Sequence, residues 1–100
     1  MIDLAQIVGF DWDEGNRSKS VEKHSVSQAE AEQVFADSQL LIADDVRHSE
    51  DEARYQALGR TVGGRLVHIT FTLRYSQTKI RVIFARGMNR KERASYEQKA

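Results

Sequence analysis

Two stretches of alternating apolar and polar residues, separated by four residues, constrain the fold of this chain more than any other feature. From Arg65 to Arg74 the alternation is regular, with apolar Val67, Ile69, Phe71 and Leu73 between polar His68, Thr70, Thr72 and Arg74. Alternate residues of a strand point to opposite faces of a sheet. The sequence therefore predicts a strand over 65–74, a turn over 75–78 and a returning strand over 79–86. With Arg74 opposite Lys79, this hairpin would place Thr72 opposite Arg81 and gather His68, Thr70, Thr72, Arg74 and Arg81 on one polar face.

The returning strand leads directly into a cluster of basic residues. Its residues Ile80, Val82 and Phe84 alternate with Arg81, Ile83 and Ala85, which predicts that the first three are buried and that Arg81 lies on the opposite face. The basic residues Arg86, Arg90, Lys91 and Arg93 follow at the end of the strand. Guanidinium groups bind phosphate oxygens in pairs. The stretch therefore predicts a phosphate-binding site, with a solvated basic turn as the alternative.

The other segments predict an α+β domain. Ser27 with Glu30, and Asn89 with Glu92, have the spacing of capping boxes and predict helices that begin there, while 14–24 is a weaker helical segment. Short apolar runs predict strands over 7–12, 40–43 and 54–62, the last joined to 65–74 by a two-residue Gly63-Gly64 turn. We predict a single domain over residues 1–100 with two N-terminal helices, one C-terminal helix and an antiparallel meander sheet of about four strands.

Charge is distributed unevenly along the chain. The 15 basic and 15 acidic residues cancel, but residues 1–53 carry four Lys/Arg and 13 Asp/Glu, a net charge of −9, and residues 54–100 carry 11 and two, a net charge of +9. This polarity predicts a basic surface on the C-terminal elements, which favours nucleic acid as a ligand.

Composition also bears on the compartment. The chain has no cysteine, which excludes disulfides and thiolate metal sites and is typical of a reducing cytoplasm. Its N-terminus lacks the basic segment of a signal peptide, and no apolar run reaches the length of a membrane span. We therefore predict a cytoplasmic protein without a membrane partner.

The chemistry has to come from a few side chains, because the chain contains none of the dedicated catalytic motifs. The acidic segment 44–52 matches neither a calcium loop nor an HExxH helix, so we predict no metal site and no cofactor. His68 is assigned a structural role on its strand. The remaining Arg, Lys, His, Glu and Tyr side chains suffice to cleave RNA, since the 2′-hydroxyl is the nucleophile and needs only a base, an acid and a phosphate clamp.

Short segments spread from about residue 8 to 97 resemble the BrnT toxin family. They are FDWD at 10–13, KH at 23–24 with VS at 26–27, VF at 34–35, HSEDE at 48–52 with Arg54, LGR at 58–60, IRVIFAR at 80–86, and ER at 92–93 with Tyr96. The resemblance implies a RelE-like α+β ribonuclease, the toxin of a type II toxin–antitoxin pair that cleaves RNA and inhibits translation. It also implies a small BrnA-like antitoxin with a ribbon-helix-helix region, through which alone the toxin reaches operator DNA.

Carried over residue by residue, the resemblance implies a set of site residues. The catalytic hypothesis assigns Arg81 and Arg86 to the scissile phosphate, His48 or Glu50 as general base, and His24, Lys23 or Tyr96 as general acid. Lys23, Arg54 and Arg74 are expected to bind the substrate, together with Arg90 of the basic cluster that follows the returning strand.

The chain also departs from the family pattern, which usually has Lys and Asn where Asn16 and Ser20 stand, and Gly in place of Ser25. Two alternative functions stay open. One is a degenerate toxin that binds RNA or antitoxin without cutting. The other is a metal-dependent hydrolase that uses the acidic segment.

Overall fold

The computed structural model describes residues 3–12, 26–48 and 52–99. They form strands β1 (Gly9–Phe10), β2 (Leu41–Asp44), β3 (Arg54–Arg60), β4 (Leu66–Arg74) and β5 (Lys79–Gly87), helices α1 (Gln28–Val34) and α2 (Arg90–Lys99), and 3-10 helices Leu4–Gln6 and Val46–His48. The predicted α+β class is confirmed. The helix predicted over 14–24 lies outside the described residues. Neither α-helix in the described ranges is long and apolar enough to cross a membrane.

The five strands form one mixed sheet in the order β1-β5-β4-β3-β2. Strands β2 to β5 are the predicted antiparallel meander, because each is paired antiparallel with the next; short turns join β3 to β4 and β4 to β5, while residues 45–53 connect β2 with β3. The prediction of about four antiparallel strands is wrong in one respect, because β1 adds a fifth strand parallel to β5, with Gly9 opposite Lys79. Because β1 and β5 are far apart in the sequence, no short turn forces them to run antiparallel. The backbone N–H of Asp11 continues the pairing and donates to the carbonyl of Ile80 at 2.8 Å.

Helix α1 covers one face of the sheet. The predicted capping box begins it: Ser27 Oγ accepts from the Glu30 N–H, and Glu30 Oε1 accepts from the Ser27 N–H, each at 3.1 Å. Its residues Ala31 and Val34 are buried against Ala57, Val67, Ile69, Phe71, Ile80, Val82 and Ala85 of the sheet. Because α1 and this apolar face form the core, the opposite face is available for polar residues.

The β3–β4 connection differs from the predicted two-residue turn. The Thr61 N–H donates to the Arg65 carbonyl at 2.9 Å, and the Arg65 N–H donates to the Thr61 hydroxyl at 3.0 Å. This pairing leaves a three-residue loop over 62–64. Gly64 has φ of 89°, which is the left-handed conformation that such loops require and that glycine adopts without steric cost.

Strand β5 contains a bulge that the alternation pattern did not predict. The predicted register is confirmed where Arg74 lies opposite Lys79 and Thr72 opposite Arg81. Beyond it, Phe71 lies opposite Val82 but Thr70 lies opposite Phe84, so Ile83 is an extra residue. The prediction that Phe84 joins Ile80 and Val82 in the core is therefore wrong: Ala85 takes the buried position. Because a bulge shifts the alternation by one residue, Arg86 lies on the same face as Arg81.

Candidate functional site

The face opposite α1 carries three rows of facing side chains, one residue from each of β3, β4 and β5. The rows are Arg54–Thr72–Arg81, Gln56–Thr70–Phe84 and Leu58–His68–Arg86. We call this surface the polar face. Arg81 and Arg86 are five positions apart and would lie on opposite faces of a regular strand, so the bulge at Ile83 is what unites them.

A pocket of about 250 Å³ opens on the second and third rows of the polar face. Its walls are Arg54 and Gln56 from β3, His68 and Thr70 from β4, and Phe84 and Arg86 from β5. Asp45, after β2, and Glu92, in the first turn of α2, complete the lining. The structure thus gathers Arg54 and Arg86, which were predicted as site residues, with His68 and Thr70 of the predicted polar face. The other lining residues, Asp45, Gln56, Phe84 and Glu92, were not among the predicted site residues.

Arg86 and Glu92 form a bidentate ion pair at the wall of this pocket. Arg86 donates from NH1 to Glu92 Oε1 and from NH2 to Oε2, both at 2.8 Å. Glu92 Oε1 also accepts the Asn89 N–H at 3.0 Å, while Asn89 Oδ1 accepts the Glu92 N–H at 2.8 Å, which is the predicted capping box of α2. Burial raises the pKa of Glu92, but the hydrogen bonds from Arg86 and Asn89 outweigh it and leave that pKa below its ordinary value. The hydrogen bonds to Glu92 in turn raise the pKa of Arg86.

His68 lies deep in the same pocket and is only 3% exposed. Its Nε2 is 3.7 Å from Glu92 Oε2, and its Nδ1 is buried without a hydrogen-bond partner among the described residues. Burial lowers the pKa of His68 from 6.5, with the Arg86 charge acting in the same direction and Glu92 opposing it. The imidazole is therefore neutral at neutral pH and can accept a hydrogen bond. Its position opposite Arg86 depends on the bulge, which explains why the sequence indicated a merely structural histidine.

The first row of the polar face has one arginine on each side of Thr72. Neighbouring strands are about 4.8 Å apart, so the Cα atoms of Arg54 and Arg81 are separated by roughly 10 Å, within reach of one shared phosphate. Arg81 NH1 contacts Asp11 Oδ2 at 3.1 Å, and the buried Thr72 hydroxyl donates to the Ala53 carbonyl at 2.7 Å. Arg86 lies opposite His68, four β4 residues away from Thr72, or roughly 13 Å along the strand.

Other predicted site residues lie at the margins of the polar face. Arg74, at the end of β4, contacts Glu52 Oε2 at 3.2 Å through NH1, and its Nε is buried without a hydrogen-bond partner among the described residues. Arg90 is exposed at the start of α2. Neither lines the pocket.

Tyr96 lies away from the pocket. It is buried, and its hydroxyl donates to Asp37 Oδ2 at 2.6 Å. Asp37 Oδ2 also accepts the Arg60 N–H at 2.9 Å, and the Arg60 guanidinium lies 6.0 Å from the centre of the Tyr96 ring. Burial, followed by the Asp37 carboxylate, raises the pKa of Tyr96. These contacts join α2 to the segment after α1 and to β3.

The remaining predicted residues fall at or beyond the limits of the described ranges. The backbone of His48 ends the 3-10 helix that follows Asp45. Lys23, His24 and Glu50 lie outside the described residues, as do Asn16, Ser20 and Ser25. Among residues 3–12, 26–48 and 52–99, no group of three or more His, Asp or Glu side chains is arranged to hold a metal ion.

Comparison with protein-family models identifies a family that this chain matches. A family model described as ribonuclease toxin, BrnT, of type II toxin-antitoxin system matches residues 12–92, about four fifths of the chain. The matched range contains α1, strands β2 to β5 and the Arg86–Glu92 pair. A search of curated proteins found no match.

Proposed function

The chain belongs to the BrnT family of ribonuclease toxins of type II toxin–antitoxin systems, and we propose that it is an endoribonuclease that cleaves RNA without a metal ion and thereby inhibits translation. The observation that supports this most is the polar face, where Arg54 and Arg81 flank Thr72 beside the pocket of His68, Arg86 and Glu92. We further propose that the fold is RelE-like, that the toxin acts in the cytoplasm, and that a BrnA-like ribbon-helix-helix antitoxin neutralises it and provides its contact with operator DNA.

The proposed reaction is an in-line attack of the RNA on itself. A general base, His48 or Glu50, takes the proton of the 2′-hydroxyl, the 2′-oxygen bonds to phosphorus, and the bond from phosphorus to the 5′-oxygen breaks. A general acid protonates the departing 5′-oxygen; His24 and Lys23 are the leading candidates, and Tyr96, whose hydroxyl donates to Asp37, is the third. The products are a 2′,3′-cyclic phosphate and a 5′-hydroxyl, and DNA is resistant because it lacks the nucleophile.

Arginines supply the charge stabilisation in this proposal. Arg81, with Arg54 across the row, donates to the non-bridging oxygens as negative charge develops on the phosphorane. A guanidinium has five N–H donors, so the contact of Arg81 with Asp11 is compatible with phosphate binding. Arg86 is ion-paired with Glu92 in the pocket, roughly 13 Å along β4, so we assign the scissile phosphate to Arg81 and Arg54, and Arg74 guides the RNA at the end of the polar face.

Replacement of Arg81 by alanine tests this proposal. We expect Arg81→Ala to lower the cleavage rate by about 10²-fold or more, because one charge donor to the transition state is lost. The rate is measured on a defined single-stranded RNA in EDTA, with the product ends analysed by mass. Arg65→Ala is the matched control: Arg65 pairs with Glu30 at 3.4 Å, on the α1 side of the sheet, and its loss should leave cleavage unchanged.

The other outcomes of this experiment are equally informative. Full activity in Arg81→Ala removes Arg81 from the site, and loss of activity in EDTA that returns with added Mg²⁺ supports a metal-dependent hydrolase. If the wild-type protein binds RNA but produces no fragments, and its expression does not arrest growth, the chain is a degenerate toxin. Rescue of growth by co-expression of a neighbouring ribbon-helix-helix protein tests the antitoxin part of the proposal.

A further inference from the structure

We propose that the pocket on the second and third rows of the polar face binds one nucleobase of the RNA, next to the phosphate at Arg54 and Arg81. The inference rests on the proposed ribonuclease function and extends it, because it assigns a base preference to one position of the RNA substrate.

The charge of the pocket favours a neutral ligand over a phosphate. Two arginines and two carboxylates line it, so their formal charges cancel. Arg86 and Glu92 moreover neutralise each other directly through two contacts of 2.8 Å. A phosphate placed here would meet the Glu92 carboxylate at close range, at a cost that a neutral heterocycle does not incur.

The size and walls of the pocket fit a heterocycle. Its volume of about 250 Å³ lies just below the roughly 300–1,000 Å³ of pockets that hold drug-sized ligands, so the pocket suits a single ring system better than a whole nucleotide. Phe84 is half-buried in the wall and provides a ring on which a base can stack. Gln56 and Thr70 stand beside it in the same row and offer both donors and acceptors for the edge of a base.

His68 provides an independent reason to expect a ligand. Its imidazole is 3% exposed, lines the pocket and keeps a buried Nδ1 without a hydrogen-bond partner among the described residues. With the proton on Nε2, which faces Glu92 Oε2 at 3.7 Å, Nδ1 is left as a hydrogen-bond acceptor. Buried polar atoms normally have partners. An amino or imino N–H of a base would satisfy this one.

Arg54 links the two halves of the proposed site. It belongs to the first row of the polar face and also lines the pocket. A nucleotide can therefore have its phosphate at Arg54 and its base against Phe84 and Gln56. Direct readout of the base edge would then select the nucleotide at that position.

The first test measures binding without cleavage. The four nucleoside 3′-monophosphates and inorganic phosphate are titrated into the isotope-labelled full chain, and amide shifts are followed by NMR. We expect the four nucleotides to differ at least tenfold in affinity and to shift Gln56, Thr70, His68 and Phe84, with inorganic phosphate shifting the Arg54 and Arg81 region instead. Equal affinities, or the same pocket shifts with inorganic phosphate, would overturn the inference.

The second test changes the pocket and reads out base preference. Gln56→Ala should reduce the ratio of cleavage between the best and worst base by about tenfold, as expected for loss of hydrogen bonds to a base edge. Phe84→Leu keeps an apolar side chain but removes the ring, and should weaken nucleotide binding by about tenfold. Gln98→Ala, on the exposed side of α2, is the control. Thermal unfolding of each variant checks that it folds.

The two proposals fail in different ways. If RNA is cleaved equally after all four bases and Gln56→Ala changes neither preference nor binding, the base pocket is wrong and the ribonuclease proposal stands. If nucleotides bind selectively in the pocket but no RNA is cut, the base pocket stands and the ribonuclease proposal is wrong.

Discussion

At the scale of single residues, Glu92 makes contacts with three parts of the molecule. Its carboxylate accepts two hydrogen bonds from Arg86 and one from the Asn89 backbone, and it lies 3.7 Å from the His68 imidazole. One side chain therefore caps α2, orients the arginine of the pocket and lies next to Nε2 of His68. The sequence predicted only the first of these roles, because a capping box is local and the other two contacts are tertiary.

Tyr96 was predicted as a possible acid, and its contacts allow a discriminating test. Tyr96→Phe removes the hydroxyl that donates to Asp37 at 2.6 Å. A hydrogen bond to a charged group contributes about 1.5–3 kcal/mol, so we expect a lower melting temperature. The cleavage rate of the folded protein should stay near that of the wild type, since Tyr96 does not line the pocket. A 100-fold slower rate at unchanged stability would instead identify Tyr96 as the general acid.

At the scale of secondary structure, the two capping boxes have the same local geometry but different surroundings. Ser27 and Glu30 begin α1, on the core side of the sheet, whereas Asn89 and Glu92 begin α2 beside the pocket. Each cap satisfies N–H groups that the first turn of a helix leaves without partners. Only the second cap also positions a side chain of the polar face.

This difference predicts a divergent pair of mutants. Ser27→Ala and Asn89→Ala should each lower the free energy of unfolding by about 1 kcal/mol, the usual effect of losing a cap. Asn89→Ala should in addition slow RNA cleavage several-fold, because Glu92 then holds Arg86 less firmly, while Ser27→Ala should leave cleavage unchanged. Urea unfolding and cleavage rates measure the two effects. Equal cleavage rates for both variants would show that the α2 cap has no role beyond stability.

At the scale of the whole molecule, folding joins the acidic and basic halves of the sequence. Ion pairs connect Arg65 with Glu30 at 3.4 Å, Arg74 with Glu52 at 3.2 Å and Arg81 with Asp11 at 3.1 Å. Each has its arginine in the half of charge +9 and its carboxylate in the half of charge −9. The predicted basic surface is therefore partly neutralised on the sheet, while Arg90, Lys91, Arg93 and Lys99 of α2 are exposed.

Stability should fall in acid in two stages. The hydrogen bond from the Ser27 backbone N–H is the main cause of the lowered pKa of Glu30. Burial raises the pKa of Asp37, but hydrogen bonds from Tyr96, Gln39 and Arg60 outweigh burial and leave that pKa below its ordinary value. Glu92 and His68 likewise have a folded-state pKa below their ordinary values of 4.5 and 6.5. For all four groups the unfolded chain binds protons first, so their stabilisation is complete above the ordinary pKa and is lost as the pH falls.

Urea unfolding at a series of pH values tests this expectation. The free energy of unfolding should be constant near neutrality. It should decline below about pH 6.5, where His68 of the unfolded chain becomes protonated, and decline further below about pH 4.5, where the carboxylates of the unfolded chain become protonated. His68→Gln should remove the first stage and keep the second. A first stage that persists in that variant would assign it to another group.

The fold and the site could be predicted from the sequence to different extents. Local signals were sufficient for the α+β class, both described capping boxes and the Thr72–Arg81 register, because capping and strand alternation depend on neighbouring residues. The family resemblance, quoted from short segments, agrees with the family match over residues 12–92. Of the predicted site residues whose side chains the structure describes, the pocket unites Arg54 and Arg86.

Strand alternation and the cluster of basic residues were sufficient to predict that a strand ending in arginines follows a strand with a polar face, and that this stretch suits phosphate binding. How β5 presents its arginines depends on tertiary packing. One extra residue, Ile83, moves Arg86 to the face of Arg81, brings His68 opposite Arg86 and exchanges Phe84 for Ala85 in the core. A bulge forms where packing on both faces of a strand is better satisfied with one residue left unpaired, and that balance depends on neighbouring strands rather than on the local pattern.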